Sequence, residues 1–309
     1  MPDVLVLEGV SGPALEALSH ELTVAAAERV DDVDGLETVR ALIVRNQTRV
    51  DAQLLARLPR LRVVARAGVG LDNVDLTAAA TAGVAVTYAP GESDVSTAEH
   101  TLALALAASR RIPALDRDIR AGGWDRAPGR ELAGNTWGVI GYGRIGQRTA
   151  ALARAVGMHV LAHDALPDRE RADRGGVQLV GLETLLERSL IVSVHVPLTP
   201  GTHGLIGAAE LALMRQDAIL VNTSRGGIVD EPALVEALRS GAIAGAALDV
   251  REHEPPGAPD PLVTLDQVVL TPHVAAMTAE AQERVIERIV RDVRAVLAGD
   301  ETAAPVPSS

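Results

Sequence analysis

Residues 4–8 (VLVLE), 41–44 (ALIV), 62–66 (RVVAR) and 84–88 (VAVTY) are short apolar runs, and between them lie segments such as ALEALSH, AQLLARL and VDLTAAATAG with apolar positions every three or four residues. Runs of that length rich in Val, Leu and Ile read as buried strands, and the longer period reads as helix. Strand and helix in alternation predict a parallel sheet with helices on both faces. A second series opens at residue 136: TWGVI (136–140), HVLAHD (159–164), LIVSVHVP (190–197), AILVNTS (218–224), GAALDV (245–250) and QVVLTPH (267–273). The pattern therefore reads as α/β, with two doubly wound parallel sheets in succession.

Between the two series, SDVSTAEHTLALALAASRR is apolar almost all round from 97 to 108, which predicts a helix buried on most sides at the domain junction. A last helical pattern, 279–297, alternates apolar and Arg/Glu faces and stops at Gly299. The tail DETAAPVPSS is expected to be disordered.

Composition narrows the picture. At 309 residues the chain is long enough for roughly two domains. It is 47% hydrophobic with 1% aromatic residues and no Phe, so Val, Leu, Ile and Ala must fill the cores. The net charge of -12 argues against nucleic acid, because binding a phosphate backbone requires a basic face. Every basic residue is Arg, read as a coding bias without functional weight. Without Cys there is neither a disulfide framework nor a thiolate, and the scattered His residues carry no ligand spacing, so no metal is expected. The start MPDVLVLEGV lacks the basic and long apolar stretches of a signal peptide, and no run approaches the about 18 apolar residues of a membrane span. A cytoplasmic protein without membrane contact is expected.

Within the second series, VIGYGRIGQ sets Gly141, Gly143 and Gly146 as G-x-G-x-x-G between a strand and a helix. The first glycine permits the turn, the second lets a pyrophosphate approach the backbone, and the third packs helix on strand. The next strand ends in Asp164, eighteen residues after Gly146, where a carboxylate suits the ribose hydroxyls of an adenosine. That carboxylate repels the extra phosphate of NADP, so NAD is the expected cofactor.

Arg225, Glu254 and His273 follow three successive strands of the same series, at the edge where open parallel sheets bind ligands. An Arg offers a planar fork to a carboxylate. A His moves protons near neutral pH, and a carboxylate beside it favours the imidazolium. Together they suit a small 2-oxo acid beside a nicotinamide. Of the four ionisable residues in ALDVREHEPP, Glu254 is read as the partner of His273, while Arg251, Glu252 and His253 are assigned to the turn, with His253 as the competing acid–base residue. Singly, each of the three has an ordinary structural alternative, as a cap, a satisfied buried histidine or a surface pair.

The motifs RAGVGLDNVDL, AEHTLAL, GVIGYGRIGQ, HVPLTPGTHGLI, NTSRGGIVDEPAL, ALDVREHEP and LTPHVAAMT, spread over roughly residues 40–290, resemble the NAD-dependent D-2-hydroxyacid dehydrogenases. The resemblance implies catalytic roles for Arg225, Glu254 and His273. It implies cofactor contacts at Gly141, Gly143, Arg144, Ile145, Gly146, Asp164, Val196, Pro197, Thr202, Thr223, Ser224, Asp249 and Ala275, with Asp249 at the nicotinamide carboxamide. Substrate contacts would fall to Arg45, Val69 and Gly70 besides Arg225. It also implies a flavodoxin-like substrate domain made of 1–97 with 277–309, and a Rossmann NAD-binding domain over 98–276. A homodimer is implied, with an arm around AGGWDRAPGRE crossing to the neighbour and Trp124 in that arm.

RAGVGLDNVD and VRNQTRV are most similar to the phosphoglycerate dehydrogenase branch, in which an Arg-Ser pair meets the substrate phosphate. Arg45 keeps the Arg, and Asn46 stands where Ser is usual. Ser93, Arg251 and Leu190 likewise replace a usual Asn, Phe and Asp. The implied substrate is 3-phosphoglycerate; the alternatives are a glyoxylate or hydroxypyruvate reductase, a dehydrogenase of another 2-hydroxy acid, or an NAD-responsive corepressor-like binding protein. Feedback by serine through an appended regulatory domain is not expected.

Overall fold

A computed structural model describes residues 1–300; of the tail read at 300–309, residues 301–309 lie outside the described residues. The chain forms two compact units, Met1–Ser93 with the described residues from Met277 onward, and Asp94–Ala276.

In the first unit β1 (Val4–Leu7), α1 (Pro13–Ser19), β2 (Val24–Ala27), β3 (Ala41–Val44), α2 (Ala52–Ala56), β4 (Val63–Arg66), α3 (Leu76–Thr81) and β5 (Ala85–Tyr88) follow in order. The strands pair in parallel as β2-β1-β3-β4-β5, the flavodoxin-like order. The predicted runs at 4–8, 41–44, 62–66 and 84–88 are β1, β3, β4 and β5. Asp51 and Asp75 start α2 and α3 by accepting the N–H groups of Leu54 and Ala78.

In the second unit α4 (Asp94–Ser109) and α5 (Ile112–Arg120) precede β6 (Thr136–Ile140), α6 (Arg144–Ala155), β7 (His159–His163), α7 (Arg169–Gly175), β8 (Gln178–Leu179), α8 (Leu182–Arg188), β9 (Ile191–Val194), α9 (Ala208–Leu213), β10 (Ile219–Asn222), α10 (Glu231–Ser240), β11 (Gly245–Leu248) and β12 (Val268–Leu270). The sheet runs β12-β11-β10-β9-β6-β7-β8, all parallel, with its order reversing at β6. That reversal opens a crevice beyond the carboxyl end of β6, which is where the glycine fingerprint lies. The two-sheet α/β architecture predicted from the pattern is the observed one.

α11 (Ala279–Ala298) belongs to the first unit and is capped by Thr278. Val285, Ile286, Ile289, Val290, Val293 and Val296 form its buried stripe against β1, β3 and β4, and each such side chain stabilises by about 1.5–3 kcal/mol. Its one buried acid, Asp292, accepts from Arg288 at 2.8 Å and from the Thr87 hydroxyl at 2.7 Å.

Scarcity of aromatics shapes the second core. Trp137 is its largest fully buried side chain, and Ala105, Ala150 and Ala153 let α4 and α6 lie close to the sheet. The 97–108 helix, expected to be buried on most sides, keeps a single exposed stripe. α4 buries Ala98, Thr101, Leu104 and Ala105, but Val95, Glu99, Ala103 and Leu106 lie one turn apart along an exposed stripe.

Candidate active site

The carboxyl ends of β6, β7, β9, β10, β11 and β12 carry nearly all the candidate residues of the second unit. Gly141 follows β6 at φ +92°, and a Cβ there would stand 2.7 Å from the His195 carbonyl oxygen. A Cβ on Gly146 would overlap the Gly141 carbonyl oxygen, so that glycine is the price of close helix–strand packing. Gly143 differs: a Cβ there would meet no protein atom within 4 Å. No side chain caps α6 at Gly143, so the first N–H groups of that helix face an open side.

Asp164 is drawn into this loop. Its Oδ2 accepts the Tyr142 N–H at 2.7 Å and its Oδ1 the Leu166 N–H at 2.9 Å. Arg144 turns its side chain away to the buried Asp94, at 2.6 Å, which leaves its backbone at the loop. Ile145 stands beside it in the first turn of α6. After β9 the Val196–Thr202 turn is tied by its own groups: the Thr202 hydroxyl donates to the Pro197 carbonyl and accepts the Thr199 N–H. The Ser224 hydroxyl, after β10, donates to the Val196 carbonyl, and Thr223 meets Thr101 of α4 at 2.9 Å.

Asp249 organises the end of β12. Its side chain is 0% exposed; Oδ1 accepts from the Thr271 hydroxyl at 2.6 Å and the Val274 N–H at 2.9 Å, and Oδ2 accepts the Ala275 N–H at 2.8 Å. Nε2 of His100 stands 3.1 Å from the Thr271 hydroxyl and 3.4 Å from Asp249. Burial pushes the Asp249 carboxyl up, but these hydrogen bonds outweigh it and hold the pKa below the usual range. The turn so fixed contains His273, which takes a left-handed φ of +55°.

Nδ1 of His273 meets Oε2 of Glu254 at 2.6 Å, with both side chains 29% exposed. Oε1 of the same carboxylate accepts the backbone N–H of Arg251 at 2.9 Å. Burial works against the Glu254 charge, but the His273 ring, the Arg251 amide and the charges of His273 and Arg225 prevail and hold it ionised. Arg225, after β10, donates Nη1–H to the Ser224 carbonyl at 2.7 Å. Its charge thus acts on the acid that holds the imidazole.

The family described as "D-isomer specific 2-hydroxyacid dehydrogenase, NAD binding domain" matches residues 102–275. The D-3-phosphoglycerate dehydrogenase of Archaeoglobus fulgidus is 46% identical over 296 residues, 94% of this chain and 56% of that protein. A glyoxylate reductase of Aeropyrum pernix is 43% identical over 92% of this chain and 89% of its own. A D-lactate dehydrogenase from Aquifex aeolicus, solved with NAD and lactic acid, superposes with a TM-score of 0.88 at 31% identity, covering 97% of both chains. The chain belongs to the D-2-hydroxyacid dehydrogenase family.

This family membership bears out the resemblance read from the motifs, and makes residues 102–275 an NAD-binding domain. The chain spans little more than half, 56–58%, of the length of the phosphoglycerate dehydrogenases of archaeal and mycobacterial origin that it matches.

Arg45, Val69 and Gly70 belong to the first unit. Arg45 follows β3 and donates to the Met277 sulfur at 3.1 Å. Burial lowers its pKa while the Glu8 carboxylate opposes that fall. Val69 is 38% exposed on the loop after β4.

Sequence reasoning missed several partners. His100 was read as part of an apolar helix; its place before Thr101 in AEHTLAL is the one signal that a polar pair faces the sheet. Arg251 was assigned to a solvated turn, yet its side chain is 10% exposed and paired with Glu231 and Asp260. An Arg at a strand end followed by a Pro-flanked Asp was the available clue.

Proposed function

We propose that the protein is an NAD-dependent oxidoreductase that interconverts a small D-2-hydroxy acid and its 2-oxo acid, with Arg225, Glu254 and His273 at the reacting carbon. The observation that carries this is the 2.6 Å contact of His273 with Glu254, on the sheet edge that also holds the glycine loop.

NAD fits the residues present. Gly141, Gly143, Arg144, Ile145 and Gly146 would hold its pyrophosphate: the side of Gly143 left open, with an uncapped helix start behind it, suits an anion. Asp164 would take the adenosine ribose. Val196, Pro197, Thr202, Thr223, Ser224, Asp249 and Ala275 would line the remainder, largely through the turns they hold. Held there, NAD would supply the hydride acceptor for oxidation at C2 of the hydroxy acid, and its reduced form the hydride donor for the 2-oxo acid.

The side chains would do the rest. The Arg225 guanidinium orients the substrate carboxylate and polarises the carbonyl. With Nδ1 engaged by Glu254, Nε2 of His273 is the nitrogen that gives a proton to the carbonyl oxygen in reduction and takes one from the hydroxyl in oxidation. Glu254, kept anionic, orients the ring and favours its charged form. Reduction starts from imidazolium and oxidation from neutral imidazole, so the two directions have opposed pH dependences.

The substrate favoured by the relatives is 3-phosphoglycerate, with Arg45 as the cation for its phosphate and Val69 and Gly70 supplying backbone N–H groups to its carboxylate. Glyoxylate or hydroxypyruvate reduction is the second reading, supported by the Aeropyrum relative, matched over nearly its whole length, and by Asn46 in place of Ser. A homodimer is proposed as well, because Ile112, Ile119 and Trp124 are more than half exposed in and just after α5. No helix among the described residues is long and apolar enough to cross a membrane. A cytoplasmic location and the absence of nucleic acid partners remain part of this proposal, in keeping with the net charge of -12.

The test is a panel of 2-hydroxy and 2-oxo acids, including 3-phosphoglycerate, glyoxylate and hydroxypyruvate, followed by nicotinamide absorbance. Turnover of one or more supports the proposal. NAD binding without turnover of any would favour a binding protein.

A further inference from the structure

Arg251, three residues past the end of β11, is bonded to two carboxylates at once. Its Nε and Nη2 donate to the two oxygens of Glu231 at 3.1 and 2.9 Å, and its Nη1 and Nη2 to those of Asp260 at 2.6 and 3.0 Å. All three side chains are 8–17% exposed. Glu231 opens α10, and Asp260 caps the short turn Pro261–Thr264 through the Leu262 N–H. A single guanidinium therefore joins two fixed points of the fold, which a planar fork does and an ammonium does not. Glu231 also accepts the Glu252 N–H at 2.6 Å, so the Arg251–Glu252 peptide is held from both its side chain and its backbone.

The backbone of Arg251 touches both halves of the reaction chemistry through its two flanking peptides. The Arg251 N–H donates to Oε1 of Glu254, whose Oε2 holds His273. On its other side, Gly226 packs so closely that a Cβ there would overlap the Arg251 carbonyl group, and Gly226 directly follows Arg225.

We infer that Arg251 is a positioning residue: by bridging Glu231 and Asp260 it sets the 251–254 turn so that the Arg251 N–H holds Glu254 in line with Nδ1 of His273. The inference rests on the proposed acid–base pair but concerns how this chain builds it. Glu254 faces His273, Arg225 and the Arg251 amide, and Asp249 with His100 lies behind the turn of His273. Glu231 and Asp260 are neutralised in part by Arg251, and Glu252 and His253 are exposed in the turn. With Arg251 gone, the two carboxylates face each other without a countercharge, and the turn loses its anchor.

The experiment uses the full chain and two readouts. The first is the NMR titration of the His273 imidazole, assigned by its disappearance in His273→Gln, in wild type, Arg251→Met and Arg251→Lys. The second is kcat and KM for reduction against pH. Arg251→Met should move the imidazole titration to lower pH, as a misaligned carboxylate supports the charge less. Its kcat should fall by up to about a hundredfold, the cost of a displacement near 1 Å, with KM changed less. Arg251→Lys, keeping the charge but not the fork, should fall between. Should Arg251→Met fail to fold, Asp260→Asn, which loosens one side of the bridge, carries the same titration. A folded variant of lower Tm whose His273 titrates as in wild type overturns the inference and leaves Arg251 a structural role alone. The titration needs no turnover, so failure of the proposed function would show separately, as inactivity of the wild type.

Discussion

Nδ1 of His273 lies 2.6 Å from Oε2 of Glu254, although the two residues are nineteen apart in sequence and follow different strands. Glu254 is held below its ordinary pKa against the pull of burial, so it faces the ring as an anion throughout the neutral range. Glu254→Gln keeps the shape and removes the charge. Because reduction starts from imidazolium, the basic limb of its pH profile should move to lower pH, while oxidation is less affected. Identical reduction profiles in variant and wild type would count against the pairing as the source of the ring's charge.

The two glycines at the start of α6 separate stability from ligand binding. Gly146→Ala forces a methyl group onto the Gly141 carbonyl and should cost about 1–3 kcal/mol, read as a lowered denaturation midpoint. Gly143→Ala meets no protein atom within 4 Å and needs no left-handed backbone. It should keep its stability within about 0.5 kcal/mol. Its NAD affinity should nevertheless drop about tenfold or more, the equivalent of roughly 1.4 kcal/mol. Calorimetric NAD titration of both variants checks this, and unchanged affinity in Gly143→Ala would refute the phosphate cradle.

His195 predicts an acid-side loss of stability. Trp137 Nε1–H can only donate, so Ser193 accepts it at 2.8 Å and turns its own hydrogen toward Nε2 of His195, 2.9 Å away. Burial pushes the His195 pKa from 6.5 down to about 3. The unfolded chain therefore binds a proton below pH 6.5 that the folded chain refuses until pH is near 3. Stability from this residue is complete above that window and declines as pH falls through it, by at most about 1.4 kcal/mol per pH unit and less where the ring keeps solvent contact. His195→Gln should show a smaller difference in denaturant midpoint between neutral and mildly acidic buffer than wild type. An equal difference would mean that the residue titrates normally.

Much of the fold was legible because burial writes itself into composition. ILVN and IVSV lie fully buried in the middle of a parallel sheet, and their continuous apolar character predicted them. β2 was not read: VAAA is an edge strand, mostly half-exposed, and its alanines carry no β signal. β8 has two residues, too few for a period. At the site, Glu254 and His273 could be paired because each follows a strand of the same sheet and topology brings strand ends together. The bonds of Arg251 to Glu231 and Asp260 could not, since they depend on where a helix start and a loop cap meet in space. The same holds for His100 with Asp249: a histidine on an apolar helix gives no hint of the acid it faces.

Arg45 separates the two substrate readings. If its guanidinium holds a phosphate, Arg45→Ala should raise KM for 3-phosphoglycerate by about tenfold or more and leave that for glyoxylate nearly unchanged. Steady-state kinetics on both acids checks it, and equal changes for both would remove Arg45 from phosphate recognition.

The central claim is that the His273 imidazole moves the proton at the reacting carbon, and single-turnover kinetics of His273→Ala with the best acid of the panel tests it most directly. The expected result is a rate lower by about 10²–10⁴-fold with NAD(H) binding intact. Near-wild-type turnover in that variant, with the cofactor bound as before, would contradict the account.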